Sequence, residues 1–174
     1  MNILFPLLIL FSAALLFLLA ALYFLLLLPR FRSPDCSALM GYFYAHRGFH
    51  NLEEGIPENS MKAFRLAVEK GYGIELDVQL SADGIPVVFH DNTLTRMCGV
   101  NRRVRELTLA ELKALSLGGT EERIPTFQEF LEMVDGRVPL IVEIKMEKWD
   151  ARIPAAANEL LKEYKGPYCI ESFH

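Results

Sequence analysis

The sequence predicts an α/β fold: parallel βα units amounting to about the first five strands of a (β/α)₈ barrel, preceded by one transmembrane helix. Three observations predict it. The chain opens on a long uncharged apolar stretch. Short apolar runs then alternate with helical patterns and turn residues, the signature of βα units. Charged residues spaced by two sit inside two of those runs, as they do on one face of a strand.

The first element is the apolar one. All 18 Lys and Arg and all 22 Asp and Glu of the 174 residues lie beyond Pro29. Ile3 to Leu28, at about 1.5 Å per helical residue, exceeds the ~30 Å hydrocarbon core of a bilayer. A signal peptide would open on Lys or Arg, carry a shorter apolar region and end at a small-x-small site, and none of these is present. The expectation is a single-pass helix over residues 1–29 in the cell membrane. Arg30 and Arg32 follow it closely and place the rest of the chain in the cytoplasm.

A linker over 30–41 leads to a globular region over 42–174. Its first strand is expected at Tyr42 to Ala45. Asn59 or Ser60 caps a helix in which Met61, Phe64 and Val68 recur at helical spacing, and Gly71 ends it. Strands follow at Ile74 to Leu80 and Pro86 to His90. Thr108 with Glu111, and Thr126 with Glu129, form capping boxes that start helices at Leu109 to Leu115 and Phe127 to Val134. A strand at Leu140 to Lys145, a helix at Ala151 to Lys165 and a strand at Tyr168 to Glu171 complete the pattern.

The net charge of −4, with no basic stripe, argues against nucleic acid as a partner. Cys36, Cys98 and Cys169 are odd in number and widely spaced, which suggests neither a disulfide framework nor a structural zinc site.

The chemistry-bearing residues gather at strand ends. Glu75 and Asp77 share a strand face, and Glu143 and Lys145 repeat the arrangement on a later strand. Three converging carboxylates would repel one another without a cation among them, and oxygen ligands of this kind suit Mg²⁺ or Ca²⁺. His46 with Arg47 ends the first strand and His90 with Asp91 the third, the ends where barrel enzymes carry their catalytic groups. Two histidines can serve as general acid and base, Arg47 as a planar phosphate clamp and Lys145 as a point charge. His50 and His174 lack such a setting. Together these are the parts of a phosphoryl-transfer site.

The motifs Ala45-His46-Arg47-Gly48, Pro57-Glu58-Asn59-Ser60, Glu75-Leu76-Asp77-Val78-Gln79, Asp83-Gly84 and His90-Asp91 occur in this order. Leu94 with Arg96, Ile124-Pro125-Thr126, Glu143-Ile144-Lys145 and Ser172-Phe173 follow. As a set they resemble the glycerophosphodiester phosphodiesterase family. The resemblance implies a TIM barrel of the phosphodiesterase type that hydrolyses glycerophosphodiesters to glycerol 3-phosphate and an alcohol in phospholipid metabolism. It further implies Glu75, Asp77 and Glu143 as ligands of one divalent cation, His46 and His90 as acid and base, and Arg47 and Lys145 as phosphate and substrate contacts. The family's later strands have no counterpart, so the sequence is expected to stop mid-domain, leaving an open, aggregation-prone sheet. Two other readings stand beside this one: a related phospholipase D-like enzyme acting on lysophospholipids, and a catalytically silent membrane module.

Overall fold

A stretch with no polar face satisfies its backbone most simply as a helix, and the computed structural model has α1 at Leu4–Leu27. The structure describes residues 4–27, 35–147 and 149–173, in two units that divide between Asp35 and Cys36. Within α1, Pro6–Leu27 is long and apolar enough to cross a membrane. Within this helix Ser12 Oγ donates back to the Leu8 carbonyl at 2.9 Å. Arg30 and Arg32, on which the expected orientation rests, lie outside the described residues, as does His174.

The second unit is a five-stranded sheet of order β1-β2-β4-β5, with β3 attached to β2. The strands are β1 (Tyr44–His46), β2 (Gly73–Leu80), β3 (Pro86–Val88), β4 (Leu140–Ile144) and β5 (Tyr168–Glu171). β1, β2, β4 and β5 run parallel. Three helices serve as crossovers: α2 (Met61–Glu69), α5 (Phe127–Val134) and α6 (Arg152–Glu163).

The third strand departs from the expectation that all five strands run parallel: β3 pairs antiparallel with β2, Val78 opposite Val88. The reason is chain length. A parallel return needs a crossover of about a dozen residues, whereas only Ser81 to Ile85 separate the two strands. The turn closes on Ser81 Oγ, which donates to Asp83 Oδ1 at 2.6 Å and accepts from Ile85 N at 2.9 Å.

Helix starts follow the capping signals. Ser60 accepts from Ala63 N at α2, and Thr126 and Glu129 form the reciprocal box at α5. The same box at Thr108 and Glu111 opens α4 (Leu109–Ala114). In α6, Pro154 sits in the first turn, where the amide it lacks would have no helical partner.

Strand periodicity sorts the faces. Ile74, Leu76, Val78, Leu140, Val142 and Ile144 pack with Phe64, Phe127, Phe130 and Leu161 of the helices into the main core. A second cluster joins Val87 of β3 to Phe89, Leu94, Met97, Val104, Leu107, Leu112, Leu117 and Ile124 of the excursion between β3 and α5. That excursion includes the short helix α3 (Thr95–Cys98), which the hydrophobic pattern had not predicted.

Candidate active site

The face of the sheet opposite the main core carries the polar residues, and the register explains why they meet. His46 lies beside Glu75, Glu75 and Asp77 are two apart on β2, and Asp77 lies beside Glu143. Paired and alternate residues share a face. These four side chains are therefore directed to one side, near the carboxyl ends of parallel strands.

Carboxylate oxygens of Glu75, Asp77 and Glu143 come within 4.8 Å of one another, and all three residues are buried. Asp77 Oδ2 accepts from Asn59 Nδ2 at 2.9 Å, while Asp77 Oδ1 is buried with no hydrogen-bond partner. Burial, followed by the charge of Asp77, pushes the Glu75 carboxyl up to about 7 against a partly offsetting bond from the Arg47 amide. A buried carboxylate oxygen without a hydrogen-bond partner and three clustered oxygen donors fit a hard divalent ion.

Cationic groups border the cluster. Lys145 Nζ is 2.9 Å from Glu143 Oε1 and 3.6 Å from Asp77 Oδ1. Arg47 Nη1 donates to Glu58 Oε1 at 2.9 Å, and its Nε lies 3.5 Å from Asp77 Oδ2. Arg47 is held there by its backbone. It has φ +57°, a costly conformation for a residue with a Cβ, and its amide reaches Glu75 Oε2 at 3.0 Å. Gly48 follows at φ +83°, where a Cβ would come within 2.9 Å of the Ala63 Cβ.

The histidines differ. His46 has a 67% exposed side chain, with Nε2 3.8 Å from Glu75 Oε2. Partial burial, then the Arg47 charge, holds it below its ordinary value. His90 Nδ1 is 2.6 Å from Asp91 Oδ1. A cavity of about 310 Å³ is lined by His90, Asp91, Asn92, Lys145 and Met146, and His46 lies outside that lining.

The structure adds residues to which the motifs alone assigned no role. Gln79 Nε2 donates to the carbonyls of Phe89 at 2.7 Å and Asp91 at 2.9 Å, fixing the loop that bears His90. Arg96 joins Asp91 to Glu58. Such partners are invisible in sequence because they meet only through the fold, although Glu58, Gln79, Asp91 and Arg96 all stand in the quoted motifs.

A mainly parallel βα sheet with an acidic cluster and basic flanks on one face defines a barrel-type α/β fold with a metal-compatible site. Residues 46–165 match the sequence profile of the glycerophosphoryl diester phosphodiesterase family, and the chain belongs to that family. It is 39% identical over 128 residues to a glycerophosphodiester phosphodiesterase of Caldanaerobacter subterraneus, covering 70% of this chain and 51% of that one. A Bacillus altitudinis glycerophosphodiester phosphodiesterase is 37% identical over 148 residues, covering 78% and 59% respectively. The fold matches an Oleispira antarctica phosphodiesterase, solved in complex with the product sn-glycerol-3-phosphate, with a TM-score of 0.71 and 33% identity. That match covers 80% of this chain and 60% of the other. The chain thus spans little more than half the length of these relatives.

Proposed function

We propose that the globular unit hydrolyses glycerophosphodiesters to glycerol 3-phosphate and an alcohol, with one divalent cation, Mg²⁺ or Ca²⁺, held by Glu75, Asp77 and Glu143. The convergence of those three buried carboxylates beside Arg47 and Lys145 carries the reading. The bound cation would supply Lewis-acid polarisation of a phosphoryl oxygen.

The chain's own residues do the rest. Arg47 and Lys145 bind and orient the phosphoryl oxygens. His46, held toward its neutral form, accepts a proton from the attacking water as the new P–O bond forms. His90 delivers a proton to the alcohol oxygen as the old P–O bond breaks, from the ring nitrogen that Asp91 does not hold. The apolar helix α1 is read as the single membrane span, over 1–29, followed by a linker over 30–41 and the catalytic region over 42–174 in the cytoplasm. Its length and hydropathy support that reading.

The test is release of sn-glycerol 3-phosphate from glycerophosphocholine by the full chain in detergent micelles, with lysophosphatidylcholine in a parallel arm. Turnover should need Mg²⁺ or Ca²⁺, stop with a chelator, and fall about 10²-fold or more in Asp77→Asn. Preference for the lysolipid would move the assignment to the phospholipase D-like reading. No turnover of either substrate would remove the hydrolytic one.

A further inference from the structure

Arg96 stands on the short helix α3, outside the metal-compatible cluster, yet it bonds to both halves of the proposed catalytic apparatus. Its Nε donates to Asp91 Oδ2 at 2.7 Å and its Nη2 to Asp91 Oδ1 at 3.1 Å. From the same guanidinium, Nη1 donates to Glu58 Oε2 at 2.9 Å and Nη2 to Glu58 Oε1 at 2.7 Å. Both carboxylates are thus gripped in the planar, two-toothed way that only a guanidinium permits. Beyond them, Asp91 Oδ1 meets His90 Nδ1 at 2.6 Å, and Glu58 Oε1 accepts from Arg47 Nη1 at 2.9 Å.

We propose that Arg96 is a positioning residue that fixes the His90 ring and the Arg47 side chain relative to each other through Asp91 and Glu58. The inference rests on the hydrolytic reading in giving His90 and Arg47 catalytic work. The arrangement has a chemical consequence at His90. An ionised carboxylate only accepts hydrogen bonds, so the Nδ1 facing Asp91 must carry the hydrogen, and Nε2 is left as the nitrogen that exchanges protons with substrate. Burial is the largest single influence and works to raise both acids, but the bonds and charge of Arg96 together with those of His90 at Asp91 and of Arg47 at Glu58 outweigh it and hold both carboxyls below their ordinary values. Asp91 therefore stays an acceptor at neutral pH. Without Arg96, Asp91 and Glu58 would each lose a bidentate partner, and neither His90 nor Arg47 would keep a fixed second anchor.

The chain has four histidines, so the ring nitrogens can be followed individually by ¹⁵N NMR on the full chain in micelles with Mg²⁺. At pH 8.5 an ordinary imidazole is neutral, and the His90 signal is assigned by its loss in His90→Gln. In the unsubstituted chain His90 should be in the Nδ1–H form. In Arg96→Met the Nε2–H form, favoured by the free histidine side chain in water, should gain at least half the population, with kcat for glycerophosphocholine about tenfold or more lower. KM should rise severalfold because Arg47 is loosened. Arg96→Lys, a point charge that cannot hold two carboxylates bidentately, should fall between and serves as the second variant if Arg96→Met does not fold. An unchanged His90 tautomer in both variants overturns the proposal whatever the rate does. An unsubstituted chain without turnover would count against the hydrolytic reading, and the tautomer would still decide on Arg96.

Discussion

Glu75 is the residue at which fold stability and proposed function oppose each other. Its folded carboxyl holds a proton up to about 7 against an ordinary 4.5. Its contribution to stability is therefore complete below about pH 4.5 and is lost as pH rises through 7. A cation binds the ionised form and should reverse that loss. In the metal-free chain His46 works in the opposite sense, being held below its ordinary value, so the increment on adding Mg²⁺ is more telling than the absolute melting temperature. At 100 times Kd a ligand adds about 2.7 kcal/mol; melts with and without Mg²⁺ should show most of that gain at pH 8 and little at pH 5. Equal increments at both would remove Glu75 from the binding set. Glu75→Gln should raise the metal-free melting temperature at pH 8 while weakening Mg²⁺ binding, a gain in stability at the expense of function. For the histidines, His46→Ala and His90→Ala should each lower turnover about 10²-fold or more, with Mg²⁺ affinity nearly unchanged by titration calorimetry.

At the level of elements, the parts legible in the sequence were those set by local rules. The capping boxes at Thr108 and Thr126 and the cap at Ser60 specify helix starts because the bonds span three residues. The carboxylate pair on β2 was legible because strand periodicity is two. Strand direction was not legible from the apolar run at Pro86 to His90, since apolar pattern carries no polarity; the short connection from Ser81 to Ile85 held that information. Helix α3 escaped because four residues make too short a period to read. The ties from Gln79 and Arg96 depend on residues five to thirty-eight apart. Two substitutions probe these local devices. Ser60→Ala should cost about 1 kcal/mol in a denaturant titration by removing the α2 cap. Gly48→Ala should cost more, since its φ of +83° and the Ala63 contact both oppose a Cβ, and it should impair turnover through Arg47. A Gly48→Ala chain as stable as the parent would contradict the close approach.

For the molecule as a whole, β1 and β5 are the outer strands of the described parallel sheet. On β5 and just beyond it, Ile170 and Phe173 are 51% and 78% exposed. An open strand edge with apolar neighbours pairs with other chains. The chain in micelles should therefore self-associate beyond the single-copy size in sedimentation, and Ile170→Lys should reduce that association; a monomer unaffected by the change would show that this edge is not the cause. The excursion between β3 and α5 behaves differently, because its two ends lie side by side. Val88 N donates to the Pro125 carbonyl at 2.9 Å, and Val87 bridges to Thr126. The excursion also has an apolar cluster of its own. Such a neck makes the region a cassette that leaves and re-enters the sheet at one point. Since Arg96 travels within it, exchanging the cassette would retune the chemistry of the site without redrawing the fold that carries it.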